Sequence, residues 1–247
     1  MNTETSNRPP GTGPIPSHFS AALPAADVPY DPRPLSRSER RRRDWFLFDS
    51  PKLGRSVEVL HRARLAMALE CEFDPQITAW VERPRLLPIK DNTVELCFWT
   101  RRACGREQFA LFVDEAATTT DARTRKRDHR AARDLIDAAN LAGLALRFVF
   151  ETDLVERKTV LTTWFRLLPY VQTASTLPHV DALERLVLDA FTIQARMSFL
   201  QLEQTLSAHA APDVRAVACR LLHRGRLQID ASHPLSLLSV IGHGVTP

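Results

Sequence analysis

Val94-Glu-Leu-Cys-Phe-Trp99, the turn Cys104-Gly-Arg106 and Phe109-Ala-Leu-Phe-Val113 are the stretch on which the fold turns. Two short runs of apolar, aromatic and β-branched residues around a glycine turn predict an antiparallel hairpin. Downstream, the pattern predicts a helix over 122–142, with Ala131, Leu135, Ile136 and Ala139 as its buried stripe and arginines on its charged face. Gly143 stands where a helix C′ residue belongs, and Leu144-Ala-Leu-Arg-Phe-Val-Phe150 returns as a buried strand. Upstream, Val57, Leu60, Ala63, Met67 and Ala68 recur at helical spacing and predict a helix from Ser56 to about Glu72. Phe73-Asp-Pro75 ends it, because the residue before proline is pushed out of the α region. Ile77-Thr-Ala-Trp-Val81 is β-rich, and Pro84 and Pro88 bracket a further extended piece. The order helix, strands, helix, strand predicts an α/β core over residues 44–153.

The pattern changes after this core. Residues 154–178 read as a helical connector, and Leu177-Pro-His179 breaks it. Three short helices follow, over 181–194, 198–208 and 212–223. Ser198 suits the N-cap of the second, with Gln201 completing a capping box. Pro212 suits the first turn of the third. Gly225 follows at C′, and Arg226-Leu-Gln-Ile229 reads as a short strand. Three helices, a glycine and a strand are the order of a small all-α winged helix-turn-helix domain over 179–247. Such a module either reads DNA or docks a protein, and Arg215, Arg220, Arg224 and Arg226 are its candidate DNA contacts.

The chain has 247 residues, 44% hydrophobic and 25% charged, the balance of a globular protein. The apolar runs are too short for a membrane span. With no basic-then-apolar leader the expected location is cytoplasmic, and Cys71, Cys97, Cys104 and Cys219 are expected as reduced thiols. Eight of the 17 prolines fall before residue 36 and predict a disordered arm over 1–43 that ends in the basic run Arg40 to Arg43.

Net charge is only +4, yet 29 of the 33 basic residues are arginine. GC-rich codon usage accounts for arginine over lysine, but not for clustering. Arg123, Arg125, Lys126, Arg127, Arg130 and Arg133 crowd into eleven residues. Guanidinium forks bind phosphate in bidentate fashion, so such a cluster suits a nucleic-acid backbone. The eight histidines show no HExxH spacing, and no GxGxxG, GxxxxGK[ST] or GxSxG motif occurs. Zinc hydrolase, dinucleotide, P-loop and α/β-hydrolase chemistries therefore lack support.

Lys52-Leu-Gly54-Arg55, Leu69-Glu-Cys-Glu72-Phe-Asp-Pro75, the Ile77-x-x-Trp80 strand, Glu82-Arg-Pro84 and Phe109-Ala-Leu-Phe-Val-Asp-Glu-Ala-Ala117 lie in one order. In that order and spacing the chain, from about 45 to 240, resembles TnsA, the endonuclease subunit of heteromeric transposases. The resemblance implies a restriction-endonuclease-like mixed-sheet core followed by a winged helix, with DNA, a DDE transposase subunit and an AAA+ regulator as partners. It also implies a catalytic set: a carboxylate on the first helix, an aspartate on the middle hairpin strand and a lysine on the next strand. The carboxylates would hold Mg²⁺ at the scissile phosphate, and the lysine would steady developing charge.

Carried over by position, those places hold Arg64, Cys97 (or its neighbour Leu96) and Asp114. All three depart from the pattern, so the expectation is a non-catalytic subunit that binds transposon-end DNA or scaffolds a transposition complex, without a cofactor. The alternative is an active Mg²⁺-dependent endonuclease with a relocated site, in which Glu95 works with Asp114. A third reading is a protein-interaction module derived from the nuclease fold. Arg64 is expected to fill the emptied pocket and pair with Asp114. Glu58 lies on the wrong side of the expected first helix to substitute, and Glu70 and Glu72 are expected to be solvated at its end.

Overall fold

A computed structural model describes residues 28–90 and 92–243; most of the arm expected to be disordered lies outside them. Tyr30 packs edge-on against Trp99 and Phe109, with ring centroids 5.5 and 5.4 Å away. The basic run is a short helix, α1 (Arg37–Arg42), closed by a Ser36–Glu39 capping box. Local capping thus gives order to a segment that composition marked as disordered.

A hairpin follows, β1 (Trp45–Ser50) and β2 (Arg55–Leu60), with Phe48 opposite Val57 and Phe46 opposite Val59. The first helix, α2 (Arg62–Phe73), therefore begins six residues later than the apolar spacing predicts. Val57 and Val59 also fit a period of two, and β-branched residues opposite aromatics favour the strand. His61, at φ 67°, turns the chain from β2 into α2.

The central sheet has the order β3-β4-β5-β8, built from β3 (Ile77–Ile89), β4 (Asn92–Arg102), β5 (Glu107–Val113) and β8 (Leu146–Phe150). The first three strands are antiparallel neighbours, and β8 runs parallel to β5. The expected hairpin is β4–β5. The two extended pieces around Pro84 are one strand, interrupted by a register shift between Glu82 and Arg85. One sheet face packs on α2, with Trp80, Cys97, Phe98, Ala110 and Val149 in that core. The other face buries Val81, Leu87, Leu96, Trp99 and Leu111 against Leu135 and Ala139.

Between β5 and β8 the structure departs from the expected 122–142 helix. Thr118–Thr120 (β6) pairs with Arg127–His129 (β7), and only Ala132–Leu141 (α3) is helical. Asp121 reverses the chain, its carboxylate accepting from the backbone N–H groups of Arg123 (2.8 Å) and Thr124 (2.7 Å). This side-chain turn outcompetes the helix. Leu135 and Ala139 are buried as expected, while Ile136 is exposed.

The remaining chain forms α4 (Glu151–Glu156), α5 (Lys158–Ala174), α6 (Val180–Ile193), β9 (Arg196–Ser198), α7 (Phe199–Thr205), α8 (Ala211–His223), β10 (Leu227–Ile229) and β11 (Val240–His243). The Ser198–Gln201 capping box forms, and Pro212 sits in the first turn of α8. The expected single strand is part of a three-stranded antiparallel sheet, order β10-β11-β9, so this part is not all-α. Leu69 and Phe73 of α2 join Leu167, Val187, Phe191, Leu202, Val217 and Leu221 in one apolar cluster. Phe73 stacks on Trp164 with centroids 5.9 Å apart. No helix among the described residues is long and apolar enough to cross a membrane.

Candidate functional site

Arg64, Glu95, Cys97 and Asp114, the four residues singled out from sequence, line one cavity of about 690 Å³, together with Asp44, His61, Arg62 and Glu151. Three elements bring them there. Arg64 stands on the first turn of α2, Glu95 and Cys97 alternate onto one face of β4, and Asp114 follows β5. Leu96, the other candidate for the middle position, is buried on the opposite sheet face, as strand alternation requires.

The pairing within the cavity differs from expectation. The Arg64 guanidinium donates to Glu95 Oε1, not to Asp114. Arg33, from the chain ahead of α1, donates to Glu95 Oε2 at 3.0 Å. Glu95 thus has a guanidinium on each carboxylate oxygen. Asp114 Oδ1 accepts the backbone N–H of Ala117 at 2.7 Å and caps the single 3₁₀ turn Glu115–Ala117. Glu151 accepts the backbone N–H of Glu115 at 3.3 Å, and Asp44 lies 3.6 Å from Arg62. Burial raises the Cys97 thiol above its ordinary value, against the pull of Arg64, so it stays protonated. Burial, with Arg43 and Arg64 nearby, lowers the His61 imidazole below its ordinary value. Among the described residues no three His, Cys, Asp or Glu side chains converge closely enough to hold one ion.

Arg33 was not legible as a site residue. It lies among prolines with no periodicity, and its position depends on tertiary contacts: its N–H donates to Arg83 O at 3.1 Å, and Arg83 Nε donates back to Arg33 O at 2.8 Å. Glu58 is on a strand, not a helix, and holds Arg40 at 2.9 Å. Two of the phrases that carry the resemblance meet in space. Arg55 grips the buried Glu82 carboxylate through both Nη atoms, at 2.9 and 2.6 Å.

The end of α2 is the largest correction. Glu72 is fully buried and Glu70 is ion-paired with Arg157, so neither is solvated. Glu72 accepts from Ser50 Oγ (2.5 Å), Lys52 N (2.8 Å) and His223 Nε2 (2.8 Å). An ionised carboxylate only accepts, so Nε2 carries the proton. Burial alone would raise the Glu72 carboxyl, but the His223 hydrogen bond and charge, with Ser50 and Lys52, hold it below its ordinary value. The Lys52 ammonium caps α2 by donating to the Cys71 and Asp74 carbonyls at 2.7 and 2.8 Å.

No known protein-family model matches the chain, and no curated protein matches it.

The candidate DNA contacts fall into two groups. Arg215 donates to Glu203 at 2.7 Å and lies over Tyr170; Arg220 and Arg224 share Glu184 at 3.0 and 3.2 Å. Their charges are therefore offset within the C-terminal helices, and α8 is buried on most of its surface. Arg226 is exposed. In the β6–β7 hairpin, Arg127 pairs with Asp153 (2.5 Å) and Glu156 (2.8 Å). Arg123, Arg125, Lys126 and Arg130 are exposed.

Proposed function

We propose that the chain is a non-catalytic, TnsA-like subunit that binds transposon-end DNA and scaffolds a transposition complex with a DDE transposase subunit and an AAA+ regulator. The observation that carries the non-catalytic part is the Arg64–Glu95–Arg33 arrangement. A Mg²⁺ nuclease needs carboxylate oxygens open to the ion, and here both Glu95 oxygens face guanidinium groups. The positions matched through the resemblance, Arg64, Cys97 and Asp114, line one cavity, with arginine for the helix carboxylate, cysteine for the strand aspartate and aspartate for the lysine.

The topology supports the reading. A helix, three antiparallel strands, a helix and a parallel fourth strand follow the order expected of a restriction-endonuclease-like core. The helices α6, α7 and α8 with the β9-β10-β11 sheet follow that of a winged helix. Exposed cations at the β6–β7 hairpin supply charge for phosphate contacts.

The test incubates the purified chain and its transposase partner with supercoiled, end-containing plasmid and Mg²⁺. The expected result is DNA binding without nicking by this chain. Cleavage that Glu95→Ala abolishes would overturn the proposal in favour of a nuclease acting through Glu95 and Asp114. Absence of DNA binding at low salt, with the transposase still captured, would leave a protein-interaction module.

A further inference from the structure

We infer that the β6–β7 hairpin is a rigid, sequence-independent phosphate clamp that lays duplex DNA across the mouth of the Arg64–Glu95 cavity. The inference rests on the DNA-binding part of the proposed function and names the element that makes the contact. Three observations lead to it.

The tip of the hairpin concentrates cations that the fold does not use. Arg123, Arg125 and Lys126 sit on the turn between the two strands, all exposed. Only their backbone groups take part in the turn, through the Asp121 carboxylate and carbonyl and the Thr124 hydroxyl. The one acid in the turn is thus engaged by backbone N–H groups, and the hydrogen bonds from Thr124 and Arg123 lower its carboxyl below the ordinary value. The arginines of α8 and its C-cap, by contrast, are ion-paired with Glu184 and Glu203.

The turn is held in one shape. Arg125 occupies the left-handed region at φ 53°, and its N–H closes onto Asp121 O at 2.9 Å while Asp121 N–H closes onto Lys126 O at 3.0 Å. A preformed turn leaves only the cationic side chains to be ordered on binding phosphate, and a two-stranded ribbon fits the dimensions of a DNA groove.

The base is braced against the core beside the cavity. Arg127 donates to Thr152, Asp153 and Glu156 on α4. His129 stacks on Phe148 with centroids 6.0 Å apart, and Arg130 N–H donates to Ala117 O at 2.9 Å. Thr118 Oγ1 donates to Asp114 O at 2.8 Å, which ties the first strand directly to a residue of the cavity wall. Arg127 is accordingly a positioning residue, although its sequence neighbours are contacts.

The experiment measures duplex affinity as a function of salt for the full chain, on an end-containing and an unrelated duplex. Each phosphate contact contributes about 0.9 to the slope of log K against log[salt]. The triple variant Arg123→Ala, Arg125→Ala, Lys126→Ala is expected to make the slope shallower by about 2.7 on both duplexes. Between 50 and 200 mM salt the native chain then loses about 40-fold more affinity than the variant. Arg127→Ala is expected to weaken binding with its slope within about 0.9 of the native value, and Arg127→Lys to restore part of the affinity. Unchanged thermal melting of the triple variant shows that the fold is intact. A native slope retained by the triple variant overturns the clamp while leaving DNA binding standing. Failure of the native chain to bind any duplex at 50 mM salt removes both. An equal slope change with polyglutamate in place of DNA overturns the duplex as partner.

Discussion

Replacing Glu72 by alanine is expected to be among the most costly single changes in the protein. The carboxylate is completely buried and gathers three donors, Ser50 Oγ, Lys52 N and His223 Nε2. Stranding a buried donor costs about 1–3 kcal/mol, and removing this acceptor strands three. Relaxation of the Lys52 turn recovers part of that sum, so about 4 kcal/mol is the working figure. For a chain of this size each kcal/mol lowers Tm by about 2–4 °C, giving a drop of about 8–16 °C. Glu72→Gln keeps the shape and one acceptor oxygen and is expected to lose less than half as much. The pH dependence has a definite sign. The folded carboxyl sits below its ordinary value of 4.5, so its stabilisation is complete above that pH and is lost as pH falls through the folded value. Glu72→Gln is expected to flatten this acid limb. Because Ser50, Glu72 and His223 come from β1, α2 and α8, melting is expected to remain a single transition. Calorimetry and urea titration of the three proteins between pH 3 and 7 measure all of this. A cost under about 1 kcal/mol for Glu72→Ala would refute the reasoning, because a buried acceptor of three donors cannot be removed so cheaply.

Thiol titration of the native protein is expected to find one fast-reacting cysteine, Cys104, and four in denaturant; burial pushes the Cys71 and Cys219 thiols up to about 12 and raises that of Cys97. Gly225→Ala is expected to cost more than Gly105→Ala, as read by urea melting. Both residues have positive φ and share a penalty of about 1–2 kcal/mol, but at 225 the added Cβ meets Pro75 Cβ at 2.8 Å, whereas at 105 nothing lies within 4 Å. Arg64→Ala is expected to cost about 1–2 kcal/mol, because the half-buried Glu95 keeps Arg33 as a partner; a loss above 4 kcal/mol, again by urea melting, would show that Arg33 contributes nothing.

The sequence marked the cavity better than its contents. Arg64, Glu95, Cys97 and Asp114 were legible because strand alternation and the order of short phrases fix which positions share a face. The partner of Arg64 was not, since a guanidinium on the first turn of a helix reaches several acids, and Glu95 is shared with Arg33, which lies 62 residues away in the chain. The long arginine helix was misread for a local reason. Its residues fit helical periodicity, but the Asp121 side chain offers the backbone a competing turn. Glu72 escaped for a different one: Leu69, Cys71, Glu72 and Phe73 are buried on several sides of α2 at once, so no amphipathic stripe separated the buried acid from its apolar neighbours.

That all-round burial also determines how the two ends of α2 are related. Its first turn places Arg64 in the cavity, and its last turn places Glu72 on His223 and Leu69 and Phe73 in the cluster around α8. Twelve helical residues span about 18 Å, and the ladder between the two ends contains neither proline nor glycine. Pro75 packs under Gly225 at the same junction. A partner that displaces α8 must therefore break the Glu72–His223 contact and leave a buried carboxylate short of a donor, or carry α2 with it and shift Arg64 against Glu95. The first course strands a buried hydrogen-bonding group at a cost of about 1–3 kcal/mol; the second keeps that contact and moves Arg64 relative to Glu95. Where α2 moves with α8, protein docking at the C-terminal helices and DNA over the cavity would be linked through one helix in the proposed complex.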